Sequence, residues 1–224
     1  MTGKKRAILL GPSVQSLSKI KQILQDIKMD RDCDIIVGID GGVDVWDKLG
    51  YKPHFGVGDW DSLKSKKRLS SLAHITLQKD KDRSDLFFSA VAALNSGADE
   101  IVALGVSGGK RADQHLAMLL DCSFISSGDL GLVKSVRVLG EDADYYFLSP
   151  RIPRWVGKNL KGRTASLFAM TAKVSGLTLK GFRYTLKNGI LIPSSHGMSN
   201  VITETSCDVH LRNGRLLVIM PKNG

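Results

Sequence analysis

Apolar positions along the first two-thirds of the chain follow two rhythms in alternation. Short runs at 6–10, 34–39, 55–58, 74–77, 100–104 and 136–139 have the length and β-branched content of buried strands. Between them the spacing switches to helical period. Over 13–28, Val14, Leu17, Ile20, Leu24 and Ile27 share one face, and Ser13 stands where an N-cap is expected. A short helix over 43–49 is stopped by Gly50 and kept from resuming by Pro53. Further helices are predicted over 64–72, over 85–95 between a Ser84 cap and Gly97, and over 113–123. Strands alternating with helices predict a Rossmann-like three-layer α/β domain with a mostly parallel sheet.

The pattern changes after about residue 143. Helical spacing disappears, and short β-rich runs recur at 145–148, 164–170, 174–179, 190–192, 201–205, 209–211 and 215–220. Asn188-Gly189 and Asn213-Gly214 carry the signal of tight hairpins. This part predicts a C-terminal antiparallel β-sandwich, so the chain divides into 1–143 and 144–224, with Pro150 and Pro153 near the junction.

Composition narrows the class. At 224 residues the chain can bury one large core or two smaller ones. No apolar run approaches the ~20 residues that span a bilayer, and the basic N-terminus leads into a strand, not a signal-peptide core. A cytoplasmic protein with no membrane partner is expected. Three widely spaced cysteines, Cys33, Cys122 and Cys207, fit core positions better than a disulfide framework or a zinc site. The net charge of +10 is compatible with nucleic acid, an anionic surface or a polyanionic small ligand. No arginine–aromatic interleaving supports the first, so no nucleic acid is expected. The cluster 64–68 reads as a solvated basic face. Lys79, Lys81 and Arg83, and Lys110 with Arg111, lie among acids and glycines and fit a phosphate site. The histidines (His54, His74, His115, His196 and His210) are isolated and read as structural or surface residues, and Trp46 and Trp155 as packing residues.

Candidate chemistry gathers at the ends of the predicted strands. Asp40 follows the second, Asp59 and Asp61 the third; Asp80, Asp82 and Asp85 precede the Ser84-capped helix; Arg111 and Asp113 follow a glycine-rich loop. In an open α/β sheet this is the ligand edge. Asp59 and Asp61, two residues apart in an extended segment, would share a face and need a cation between them; a plain surface turn is the alternative. Carboxylates alone repel a polyphosphate, so Mg²⁺ must mediate, and the helix starting near Asp113 offers its N-terminus to phosphate. With no Walker A segment, the reading is metal-assisted phosphoryl transfer on another scaffold.

Asp40-Gly41-Gly42, then Gly58-Asp59-Trp60-Asp61-Ser62, then Asp80-Lys81-Asp82-Arg83-Ser84-Asp85, then Gly105…Gly108-Gly109…Arg111-Ala112-Asp113 resembles the signature series of thiamin pyrophosphokinases, with Lys110 as an added residue in the glycine segment. Gly176-Leu177, Gly181-Phe182-Arg183-Tyr184 and Met198-Ser199-Asn200 are similar to that family's thiamin-binding β domain. The resemblance implies a homodimer that transfers pyrophosphate from ATP to the hydroxyethyl oxygen of thiamin, with Mg²⁺ as cofactor. It implies Asp59, Asp61 and Asp85 as catalytic and metal-holding residues. Asp40, Gly41, Gly42, Asp82, Arg111 and Asp113 would sit on the nucleotide, and Ser199, Asn200 and Tyr184 (or Phe182) near thiamin. The alternatives are pyrophosphate transfer to another hydroxymethyl heterocycle of pterin type, and a non-catalytic nucleotide-binding protein.

Overall fold

The strands predicted from short apolar runs pair into one long sheet. The protein is described by a computed structural model covering residues 6–63, 66–108 and 111–222, without the side chains of 66–68. In chain order its elements are β1 (Arg6–Leu10), α1 (Leu17–Asp26), β2 (Ile35–Ile39), α2 (Gly42–Lys48), β3 (Phe55–Gly58), β4 (Ala73–Thr76), α3 (Asp85–Asn95), β5 (Glu100–Leu104), α4 (Ala112–Ile125) and β6 (Ser135–Leu139). There follow β7 (Ala143–Leu148), β8 (Arg154–Lys158), β9 (Thr164–Ala169), β10 (Val174–Lys180), β11 (Leu186–Leu191), β12 (Asn200–Val201), β13 (Ser206–His210) and β14 (Leu216–Pro221).

Ten strands form the large sheet, in the order β12-β9-β14-β7-β6-β5-β1-β2-β3-β4, and β11-β10-β13-β8 form a second, smaller one. From β4 to β6 every pairing is parallel. Alternate residues of β1 serve opposite faces, as strand geometry requires. Ala7 and Leu9 join the core beneath α3 and α4, while Ile8 and Leu10 join the core beneath α1 and α2. The chain runs from β1 outward to β4 and then returns to place β5 on the other side of β1. That reversal makes the carboxyl edge between β1 and β5 a switch point, where the backbone splays and leaves room for a ligand.

The β-sandwich is built differently from an appended unit. Beyond β6 the large sheet turns antiparallel through β7, β14, β9 and β12. This end packs on the smaller sheet: Leu148, Leu167, Leu216 and Val218 on one side meet Val174, Leu177, Leu179 and Val209 on the other. Their neighbours Phe147 and Leu217 point the opposite way into the helical core. Among the described residues, no helix is long and apolar enough to cross a membrane.

Several local expectations are corrected. α1 starts after Ser16, whose hydroxyl accepts from the Lys19 N–H at 3.3 Å, because Ser13 is committed to the sheet edge through its N–H bond to Gly105 O at 2.8 Å. The described part of 64–72 is a 3-10 segment, Lys66–Ser71. Asn188-Gly189 lies inside β11, where Asn188 at φ 52° accompanies an irregular register against β10. Asn213-Gly214 does turn the chain, with Gly214 at φ 88°, but it passes the chain from β13 in one sheet to β14 in the other. The run at 201–205 shrinks to the two residues of β12, and β8 carries no alternating signal strong enough to predict it. Cys122 and Cys207 are buried as expected, whereas Cys33 is exposed. Lys64, Gly109 and Lys110 lie outside the described residues.

Candidate active site

β2 and β3 deliver the acids to the switch point through two sharp turns. Asp40, directly after β2, adopts φ 47°, and Trp60, between the two acids after β3, adopts φ 64°. The Asp59–Asp61 segment is therefore a turn and not the extended run that the spacing suggested. It still presents both side chains to one space, since the Trp60 ring anchors it from below. That ring is 3 % exposed, and its Nε1–H donates to Thr76 Oγ1 at 2.9 Å. The Asp61 N–H in turn donates to Asp59 Oδ1 at 3.3 Å.

Asp40, Asp59 and Asp61 each place a carboxylate oxygen within 4.8 Å of the others. Asp40 is 6 % exposed; the Ser62 hydroxyl donates to its Oδ2, while its buried Oδ1 has no partner. Ser62 Oγ also accepts the Gly41 N–H at 3.1 Å, so one hydroxyl fixes the carboxylate and the turn behind it. A buried carboxylate oxygen without a donor is costly unless a cation meets it. Three all-oxygen donors in such a cluster suit a hard divalent ion.

Asp85 stands across a lysine from this trio. Lys81 Nζ lies 3.1 Å from Asp59 Oδ2 and 3.1 Å from Asp85 Oδ1, with its side chain 14 % exposed. Burial pushes the Asp85 carboxyl above the ordinary range despite the lysine. Burial also pushes Asp59 up, but its bonds from Lys81 and the Asp61 N–H outweigh this and leave it below that range. Burial disfavours the Lys81 ammonium, yet its two carboxylates raise it overall, so it stays charged. Lys81 is the functional residue that sequence reading gave no individual role; its i,i+4 spacing to Asp85 was the available signal.

These groups open into a cleft of about 440 Å³ bounded by Pro12 and Ser13 after β1, Gly105 and Val106 after β5, Ser84 to Leu86 at the start of α3, and Gln114, Ala117 and Met118 of α4. The other expected nucleotide residues stand around it differently. Gly42 packs the start of α2 on β1, where a Cβ would lie 1.8 Å from Leu10 O. Gly41 is closed in by Ser62. Asp80 and Asp82 are exposed and do not line the cleft. Arg111 and Asp113 are both 64 % exposed and paired with each other through bonds of 2.9 and 2.6 Å, which hold the Asp113 carboxyl down to about 2. His115 Nδ1 accepts the Gly108 N–H at 3.3 Å and so shapes the glycine loop.

A second cavity, of about 330 Å³, lies in the β-sandwich. Leu167, Leu177, Leu179 and Leu191 form its apolar floor, and Tyr184, Ile190 and Met198 stand exposed at its rim. Asn200 is 5 % exposed; its amide accepts from Tyr184 N and donates to Tyr184 O, so it fixes the tyrosine's backbone. Ser199, at φ 53°, donates its N–H to Ser166 Oγ and does not line the cavity, and Phe182 is buried in the sandwich core.

A doubly wound sheet with clustered carboxylates and a captive lysine at its switch point, continued into a sandwich with an apolar pocket, defines a two-domain enzyme of the nucleotide-dependent transferase class. The chain belongs to the thiamin pyrophosphokinase family. Residues 28–125 match the thiamin pyrophosphokinase catalytic domain, and residues 151–216 match its vitamin B1 binding domain. In structure the chain is similar to thiamine pyrophosphokinase from Bacillus subtilis, with a TM-score of 0.80 at 21% identity over 99% of this chain and 100% of that one. It is also similar to the enzymes from Geobacillus thermodenitrificans (TM-score 0.77, 20% identity, 98% of each chain) and Candida albicans (0.71, 17%, 98% of this chain and 89% of that one). Comparison with curated proteins by sequence alone finds no significant match.

Proposed function

We propose that the switch-point cleft takes ATP with Mg²⁺, that the sandwich pocket takes thiamin, and that Asp40, Asp59 and Asp61 hold the metal with Asp85 and Lys81 beside it. The observation that carries this reading is the cluster of Asp40, Asp59 and Asp61, whose carboxylate oxygens lie within 4.8 Å of one another, together with an Asp40 oxygen that is buried and partnerless. The bound ion would supply charge neutralisation on the polyphosphate oxygens, the dominant need in phosphoryl transfer. The hydroxyethyl oxygen of thiamin forms its bond to the β-phosphorus as the bond from that phosphorus to the α,β-bridging oxygen breaks. AMP leaves with the bridging oxygen, and the hydroxyl proton is released. Lys81, charged and fixed between Asp59 and Asp85, offsets negative charge at that edge of the cleft. Arg111, held by Asp113 at the start of α4, is exposed and placed to turn toward phosphate. Gly41 and Gly42 act through the shape of the turn. Tyr184 offers its ring to the heterocycles of thiamin, Asn200 positions it, and Ser199 shapes the adjoining turn.

The working unit we infer is a homodimer. β9 lies five strand intervals from β1, roughly 24 Å at about 4.8 Å per strand. One chain's sandwich pocket is too distant from its own cleft for direct transfer, so a second copy supplies the missing half. We place the reaction in the cytoplasm, where free thiols such as those of Cys33, Cys122 and Cys207 persist. The division at 143/144 separates the nucleotide half from the thiamin half.

Phosphorus NMR of the protein with thiamin, ATP and Mg²⁺ tests the function. AMP and thiamin pyrophosphate should appear together, and Asp59→Asn or Asp61→Asn should lower the rate about a hundredfold or more. ADP with thiamin monophosphate would overturn pyrophosphoryl transfer, turnover only with a pterin alcohol would reassign the acceptor, and binding without turnover would leave a nucleotide sensor.

A further inference from the structure

Asp121 is a buried acid outside the cleft, and nothing in the reaction described above uses it. It lies on α4 with its side chain 7 % exposed, one helical turn beyond Ala117 and Met118, which face the cleft. Its two oxygens grip consecutive residues of the other helical wall. Oδ1 accepts from Arg83 Nη1 at 3.2 Å, and Oδ2 accepts from the Ser84 hydroxyl at 2.5 Å.

Both partners are fixed a second time. Ser84 is the N-cap of α3 and accepts the Phe87 N–H at 3.2 Å. The Arg83 guanidinium lies 5.1 Å from the ring centre of Phe87 on α3 and 4.8 Å from that of Phe124 on α4. An N-cap serine needs only the backbone donors of its own helix. Here it is tied across to a neighbouring helix, and the residue before it is tied to the same carboxylate. The next residue in the chain is Asp85, and Lys81, four residues before it in the loop leading to α3, pairs with it.

We propose that Asp121 is a positioning residue that sets the separation of the two helical walls of the nucleotide cleft, and through Arg83 and Ser84 fixes where Asp85 and Lys81 stand. The inference rests on the reading of that cleft as the ATP site. Asp121 touches no substrate; it holds the groups that do. A carboxylate is needed because one group must accept from a hydroxyl and a guanidinium at once, its own oxygens being buried although the Arg83 side chain stays 38 % exposed. The cleft's tolerance for ATP then depends on a residue that the nucleotide never meets.

The test compares wild-type protein with Asp121→Asn and Asp121→Ala, measuring MgATP affinity by calorimetry, the KM of each substrate, kcat and the melting temperature. Asp121→Ala should weaken MgATP binding and lower kcat by roughly ten- to hundredfold, the scale of hydrogen bonds to a charged group. The KM for thiamin should stay unchanged, because the sandwich pocket is elsewhere. Asp121→Asn, which keeps an acceptor for Ser84, should fall between the two. The proposal is overturned if the variants melt at lower temperature yet bind MgATP and turn over as wild type per folded molecule. It is equally overturned if Asp121→Ala does not fold and Asp121→Asn binds MgATP normally. Wild-type protein that binds MgATP without pyrophosphorylating thiamin would remove the thiamin reading, and the affinities would still decide the role of Asp121. Absence of MgATP binding in the wild type would sink both.

Discussion

Ser62 shows how much a small side chain decides at this site. Its hydroxyl donates to Asp40 and accepts from Gly41, and the second Asp40 oxygen is left buried and without a partner. Ser62→Ala removes both bonds while leaving every carboxylate in place. We expect a loss of about 1–2 kcal/mol in urea unfolding, the usual cost of stranding polar partners, together with weaker Mn²⁺ binding by spin-resonance titration. Unchanged metal affinity would mean that Asp40 needs no such support. The Gly-Asp-aromatic-Asp-Ser stretch was legible as a site because acids, glycine and hydroxyl fall together behind a strand. Which acids share a space was not legible. The sequence favoured Asp59, Asp61 and Asp85 as the metal set, whereas the geometry groups Asp40 with Asp59 and Asp61 and places Lys81 between Asp59 and Asp85.

At the scale of elements, the cleft depends on how closely α2 approaches β1. Gly42 begins that helix with its Cα side against Leu10 O, and an added methyl would sit 1.8 Å from the carbonyl oxygen. Gly42→Ala must push α2 outward and carry Asp40, two residues before, along with it. A destabilisation of about 1–3 kcal/mol is expected from overpacking, read as a lower melting temperature. An unaltered melt would show that the strand edge yields freely. Helix positions were largely readable: α3 begins and ends where Ser84 and the residues before Gly97 signalled. α1 was misplaced because Ser13 and Ser16 are equally good caps in isolation, and the hydrogen bond from Ser13 to Gly105 removes the first from competition. The β11 irregularity was misread for a similar reason. Asn-Gly favours positive φ, and a bulge uses that preference as readily as a hairpin does.

For the whole molecule, the long sheet carries the two pockets on one framework and keeps them apart. Composite sites between two copies make a sharp expectation. Asp59→Asn disables the cleft, and Ile190→Arg sets a cation at the rim of the sandwich pocket, against the cationic thiazolium of thiamin. Each variant alone should be inactive, and the two co-expressed should recover about a quarter of wild-type activity, because half of randomly paired dimers hold one intact site. No recovery would place both halves of each site in one chain.

The sequence by itself determined the α/β alternation, the change of texture near residue 143 and the presence of acids behind strands, because each depends on local period and on residues close in the chain. The tertiary structure decided what the chain brings together. It made the sandwich an extension of the large sheet, turned Asp59 to Asp61 on the buried Trp60, set Lys81 between two carboxylates, and tied α3 to α4 through Asp121. Those outcomes depend on strand order and on contacts such as Trp60 to Thr76, Lys81 to Asp59 and Arg83 to Asp121, between residues 16 to 38 positions apart, and local propensity carries no information about either.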